Sequence, residues 1–132
     1  MALNRTPLRY FSLWLGIGWL LIATVLFASL APSGVPTITP HSDKVGHFLA
    51  YFSLTLWFAQ LYRTRPRMAW AIGFVVMGAL LECLQALTSH RVFSLADMAA
   101  NTAGVLAGWA LSSLAGINFL LWFELWLEKS RA

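Results

Sequence analysis

No Asp, Glu, Lys or Arg lies between Arg9 and Asp43, and Phe11 to Leu30 inside that gap is nearly all apolar. About 20 residues rising about 1.5 Å each cover the roughly 30 Å of a bilayer's hydrocarbon core. At 132 residues the chain holds one domain. A soluble globule of that size needs a well-charged shell, and nine Lys and Arg with five Asp and Glu cannot supply one. Hydrophobic residues are 59% and charged residues 11%, against roughly 45–50% and 25% in soluble domains. The same apolar content excludes disorder. A lone cysteine, Cys83, excludes a disulfide framework and any multi-cysteine metal site. What is left is an all-α integral membrane protein. Its +4 charge then speaks to orientation rather than to nucleic acid, and no nucleic-acid partner is expected.

Further uncharged runs predict a four-helix transmembrane bundle, with spans near 11–30, 45–62, 68–87 and 95–114. Pro32, Gly34, Pro36 and Pro40 break the chain after the first. Asp43 and Lys44 belong at the mouth of the second, which Arg63, Arg65, Pro66 and Arg67 close. Glu82 interrupts the third. Gly116 and Asn118 mark a break before an amphipathic segment near 117–130, read as an interfacial helix anchored by Trp122 and Trp126, or else as an extension of the fourth span. Ser29 and Ala31 would satisfy a signal-peptidase rule, but the apolar run exceeds the usual 7–15 residues, so the first span is expected to be retained.

Four spans place Arg5, Arg9, Arg63, Arg65, Arg67, Lys129 and Arg131 on one side, and only Lys44 and Arg91 on the other. Positive charge collects in the cytoplasm, so both termini of a plasma-membrane protein are expected there. Tyr10, Tyr62 and Trp70 then fall at the cytoplasmic interface. The remaining Trp and Phe are expected mostly to face lipid.

With that topology the polar residues gather at the outer ends of the spans. Asp43, Lys44 and His47 open the second, and Tyr51 continues their stripe. Glu82 and Gln85 lie near the outer end of the third, with Glu82 about 7–8 Å below the boundary. His90 and Arg91 sit in the outer loop, and Asp97 and Asn101 open the fourth. Separations of three and four residues share a helix face. An ionised carboxylate at the membrane centre costs roughly 2.5–3.5 kcal/mol even on lenient scales, so such groups turn inward or line a wet cavity. Ser94-x-x-Asp97 resembles a capping box and should start the fourth span. Gly104 and Gly108 continue the stripe toward Ser112 and permit close approach of another helix, including one from a second copy of the chain. Plainer roles stay open: Asp97 as a cap, Asp43 with Lys44 as a solvated pair, His47 as a hydrogen-bonded structural group, and Glu82 in a salt bridge, for instance with Arg91.

The series Asp43-Lys44-x-x-His47-Phe48-x-x-Tyr51, Glu82-x-x-Gln85 and Arg91-x-x-Ser94-x-x-Asp97-x-x-x-Asn101-x-x-Gly104 resembles the VanZ-like family of small membrane proteins, over roughly residues 40–110. Its founding member is linked to resistance against the glycopeptide teicoplanin in Gram-positive bacteria. The resemblance implies a membrane location, a candidate site, and a role in the cell envelope or antibiotic tolerance. It implies no reaction.

Two functional classes follow. In an enzyme, His47, Glu82 and Asp97 would be the catalytic candidates, since a carboxylate in low dielectric can serve as general acid or base. Arg91 would hold a phosphate or carboxylate. Asp43, Lys44, Tyr51, Gln85 and Asn101 would bind and orient the ligand, for which a lipid-linked wall precursor or a glycopeptide is the natural candidate. In a binding module the same residues hold such a ligand without turnover. A third possibility is that the network only locks the helices. The residues name no cofactor and none is assigned as a metal ligand, although Asp43, His47, Glu82 and Asp97 offer mixed N/O ligands for zinc or a harder ion. A transporter path would need oligomers.

Overall fold

The computed structural model describes residues 5–31, 42–88, 93–114, 116 and 118–130. These form five helices: α1 (Phe11–Leu30), α2 (Ser42–Leu61), α3 (Thr64–Ala86), α4 (Leu95–Leu114) and α5 (Phe119–Lys129). No strand occurs among the described residues; Arg5 and Tyr62 form an isolated bridge. The Pro-rich stretch after α1, His90 and Arg91 lie outside the described residues.

The first and fourth helices have the expected bounds. The second begins at Ser42, three residues before the expected 45, and takes Asp43 into its first turn. A carboxylate there complements the positive end of the helix dipole. The third begins at Thr64 rather than 68, with Arg63 extended before it. Pro66 therefore lies in the first turn, where its missing N–H costs nothing because that donor has no intrahelical partner. Arg67 bends back to donate from Nε to the Tyr62 carbonyl at 2.6 Å and from Nη1 to the Ser112 carbonyl at 3.3 Å. It thereby satisfies carbonyls at the ends of α2 and α4. Between α4 and α5, Gly116 has φ of +60°, a conformation that favours glycine. Asn118 starts α5 by accepting from Leu121 N–H at 2.9 Å. The α4 and α5 axes differ by 53°, so α5 is a separate helix, shorter than the expected 117–130.

Among the described residues, two helical segments, Phe11–Leu30 and Pro66–Ala86, are long and apolar enough to cross a membrane, or three if α4 and α5 count as one broken span. Four such spans were expected. The shortfall falls on α2 and α4, whose polar residues lower their hydropathy and are largely covered by the bundle. Gln60 and Thr55 on α2 and Asp97, Asn101 and Ser112 on α4 are all buried. Lipid-compatible surface is instead presented by residues such as Ile72, Val76, Leu80 and Leu84, an exposed stripe along α3.

Helices α1 to α4 alternate in direction, and α2 occupies the centre. Tyr51, Leu54, Phe58 and Leu61 of α2 are buried. The principal neighbour of α2 is α4. A Cβ at Gly104 would collide with the Phe48 carbonyl oxygen, and one at Gly108 would lie 2.8 Å from the Phe52 carbonyl oxygen. The small-residue face of α4 is thus met by α2 of the same chain. Trp19, Phe27, Trp122 and Trp126 are exposed, in keeping with lipid-facing rings, whereas Phe58 and Phe74 are buried. Trp70 packs on Phe58 with ring centroids 4.1 Å apart. These three rings fill one half of the bundle.

The end that holds the N-terminus of α1 and α5 is tied by polar groups. Gln60 accepts through Oε1 from Phe119 N–H at 2.9 Å, while its carbonyl accepts from the Thr6 hydroxyl and the Asn118 amide, each at 2.7 Å. Glu124, on the amphipathic tail helix, is buried. It accepts from Arg9 N–H at 2.7 Å, Tyr10 N–H at 2.9 Å and Trp14 Nε1–H at 2.7 Å. Tyr10 has no side-chain cap of its own, so a carboxylate on α5 supplies the acceptor for α1.

Candidate functional site

At the opposite end, the i, i+4 pairs on α2 and α4 face each other. His47 Nδ1 lies 3.1 Å from Asn101 Oδ1, so Nδ1 carries the proton and donates. His47 Nε2 then bears the lone pair in the neutral ring, and it lies 3.7 Å from Asp43 Oδ1. Lys44 Nζ lies 3.6 Å from Asp97 Oδ1. Ligand-capable atoms of Asp43, His47 and Asp97 all fall within 4.8 Å of one another. The side chains of His47 and Asp97 are 11% and 10% exposed, whereas Asp43 and Lys44 are 40% and 42% exposed. The cluster therefore has a covered floor and a wet rim.

The helix starts explain the placement. Ser94 Oγ accepts from Asp97 N–H at 3.2 Å, the capping contact read from the sequence, and fixes the first turn of α4. Gly78 on α3 leaves room for Asn101: a Cβ there would be 3.2 Å from Asn101 Cβ and 3.3 Å from the Tyr51 ring. Asn101 is held between α2 and α3 as a result, and it orients the imidazole.

A cavity of about 370 Å³ adjoins this cluster between α1 and α2. Thr24, Val25, Ala28 and Ser29 line it from α1, and Asp43, His47, Ala50 and Tyr51 from α2. Its wall is apolar along Val25, Ala28 and Ala50 and polar at Asp43 and His47. Tyr51 is 1% exposed, and its hydroxyl has no hydrogen-bond partner among the described residues. The same holds for Asp97 Oδ1 and Glu82 Oε2. Buried polar atoms are ordinarily paired, and each exception calls for a water, an ion or a ligand.

The remaining sequence candidates go elsewhere. Glu82 is 2% exposed and accepts through Oε1 from Ser94 N–H at 2.7 Å, bracing the start of α4. It stands outside the cluster formed by Asp43, His47 and Asp97. Gln85 donates from Nε2 to the Ser29 carbonyl at 2.7 Å, holding the C-terminal end of α1. Arg91 lies outside the described residues. Thr24 and Ser29, isolated small polar residues in an apolar run, carry no sequence signal that marks them as cavity lining.

The contact of Glu82 separates a scaffold role from a chemical one. Gln keeps an acceptor oxygen for Ser94, whereas Ala leaves that donor bare at a cost of about 1–3 kcal/mol. Glu82→Gln should leave the thermal midpoint of the detergent-purified protein within about 2 °C of wild type. Glu82→Ala should lower it by about 4 °C or more. Equal losses in both would show that the charge itself holds the fold.

A family model described as VanZ/LLP1 matches residues 6–116. An uncharacterised protein of the fission yeast Schizosaccharomyces pombe, C11E3.10, is 33% identical over 96 residues, which are 70% of this chain and 55% of the yeast protein. The chain thus spans about half the length of that relative. No solved structure matches.

Proposed function

The chain belongs to the VanZ/LLP1 family, and on that premise we propose a membrane-embedded binding site for the polar head of an amphiphilic or lipid-linked ligand. The supporting observation is the cavity between α1 and α2, apolar along its length and bounded at one end by Asp43 and His47. Such a space matches a molecule with an acyl or prenyl tail and a polar head. In this reading α2 and α4 also cross the bilayer, giving four spans. Helix α5 lies in the cytoplasmic interface, both termini are cytoplasmic, and the site opens at the outer face of a plasma membrane. A role in the cell envelope or in glycopeptide tolerance follows if the ligand is a wall precursor or teicoplanin. The fission-yeast relative favours a more general amphiphile.

His47 can hold or accept a proton at Nε2, because Asn101 fixes the proton on Nδ1. A bound head with an ammonium or hydroxyl donor would meet the carboxylates of Asp43 and Asp97. An anionic head would meet Lys44. These groups suffice for binding, and His47 beside two carboxylates also meets the geometric requirement for general-base chemistry.

The probes are farnesyl phosphate, short-chain phosphatidylethanolamine and teicoplanin, added to protein in dodecyl maltoside. Occupancy at 100 times Kd stabilises by about 2.7 kcal/mol, so one probe should raise the midpoint by several degrees. Ala28→Trp or Ala50→Phe, which fill the cavity, should abolish the rise. No shift with any probe, or a shift indifferent to both variants, overturns the reading. Turnover of the bound probe lost in His47→Gln would make the site catalytic; saturable binding without turnover would make it a binding module.

A further inference from the structure

We propose that Asp43, His47 and Asp97 form a site for a first-row divalent cation of the Zn²⁺ or Mn²⁺ class. This deepens the binding-site reading, from which it takes only the position of the cluster beside the cavity. One imidazole nitrogen and two carboxylate oxygens are a mixed N/O set that such ions accept. Three protein ligands with further positions open is the pattern of ligand-exchanging rather than structural zinc sites.

Two features beyond the clustering support the assignment. Asn101 Oδ1 accepts a hydrogen bond from His47 Nδ1–H at 3.1 Å. Metal-bound histidines are oriented in this way by a partner on the other ring nitrogen, and Nε2 is left to bind. Asp97 is 7% exposed, yet its Oδ1 lacks a hydrogen-bond partner among the described residues. Lys44 Nζ faces it from 3.6 Å. An ammonium at that distance supplies countercharge without a formed hydrogen bond, as a substitute a dication would displace.

The fit needs little movement. With metal–ligand bonds of about 2.0–2.2 Å, neighbouring ligands in a tetrahedral site stand roughly 3.3–3.6 Å apart. His47 Nε2 and Asp43 Oδ1 are at 3.7 Å. The whole set lies within 4.8 Å, and partly exposed Asp43 is able to draw in. Lys44, released from Asp97, would be free to meet an anionic head whose oxygen fills an open metal position. A carboxylate-rich site would then be able to bind a phosphate.

The test uses the full chain in detergent, stripped with chelator and titrated with Mn²⁺ and Zn²⁺ by calorimetry, with free Mn²⁺ followed by electron paramagnetic resonance. Wild type should bind one ion per chain. Asp97→Asn and His47→Gln should weaken binding by at least about 10-fold, and Asn101→Ala, with every ligand in place, by roughly 10–100-fold. Lys44→Met should tighten it by about 10-fold, or 1.4 kcal/mol, because the competing ammonium is gone. A gain cannot be attributed to misfolding. Absence of saturable binding in both wild type and Lys44→Met overturns the proposal, and so does binding indifferent to Asp97→Asn and His47→Gln. A probe-induced thermal shift that persists in chelator while no ion binds sinks the metal site and leaves the amphiphile site standing. Ion binding without any probe shift does the reverse.

Discussion

Replacing Gly104 with Leu should dismantle the contact between α2 and α4, and Gly104→Ala should already weaken it measurably. The added Cβ meets the Phe48 carbonyl oxygen and stands 3.0 Å from Phe52 N. Both are backbone atoms of a helix and cannot rotate away, so the helices themselves must separate. Overpacking of this kind costs about 1–3 kcal/mol for small additions, partly offset in Ala by a helix-propensity gain of about 1 kcal/mol. Thermal unfolding followed by circular dichroism should therefore show a net fall for Gly104→Ala and no cooperative transition for Gly104→Leu. Gly73→Ala is the control. Nothing lies within 4 Å of a Cβ there, so its midpoint should hold or rise. Separation of the helices also pulls Asn101 from His47, and any amphiphile or metal binding should fall with the midpoint. A silent Gly104→Ala would show that α2 and α4 do not pack this closely.

Glu124→Leu should have an effect of similar size at the other end of the molecule. The substitution leaves Arg9 N–H, Tyr10 N–H and the Trp14 indole without their acceptor. Each donor left buried costs about 1–3 kcal/mol, so a loss of about 3 kcal/mol or more is expected. Glu124→Gln, which keeps an acceptor oxygen, should lose less. The acid response has a definite sign. Burial pushes the Glu124 carboxyl up, but the Tyr10, Trp14 and Arg9 donors and the Arg9 charge together hold it below its ordinary value of 4.5. A carboxyl depressed by folding adds stability that is complete above that ordinary value and is lost as pH falls through the lower folded value. Unfolding midpoints should therefore drop below about pH 4.5 in wild type and depend less on acid in Glu124→Gln. Trp14 fluorescence, which reports directly on the contact, should change over the same range. Identical acid profiles in both proteins would remove Glu124 from this role.

Much of the bundle was legible because charge is so scarce in the chain. Arg9 bounds the start of α1 within two residues and Pro32 its end. Bounds based on charge failed where charged residues enter helix ends, as Asp43 does in α2 and Arg67 in α3. The i, i+4 pairs Asp43/His47 and Asp97/Asn101 predicted shared faces, and the structure sets those faces against each other. Glu82 and Gln85 were recognisable as inward polar residues, but their partners were not. Those partners are Ser94 N–H and the Ser29 carbonyl, and a backbone group leaves no mark in the sequence. Glu124 was hidden for the same reason, among Glu128, Lys129 and Arg131. The glycines of α4 announced a close neighbour without identifying it as α2.

The two ends of the bundle differ in how completely they are sewn. Around Gln60 and Glu124 the polar side chains are engaged with the chain itself. Around Tyr51, Glu82 and Asp97, buried oxygens are held in reserve. Evolution can therefore rework the reserved end with little risk to the knotted one. Any sequence that keeps the seam around Gln60 and Glu124 can vary its other end while sharing one scaffold.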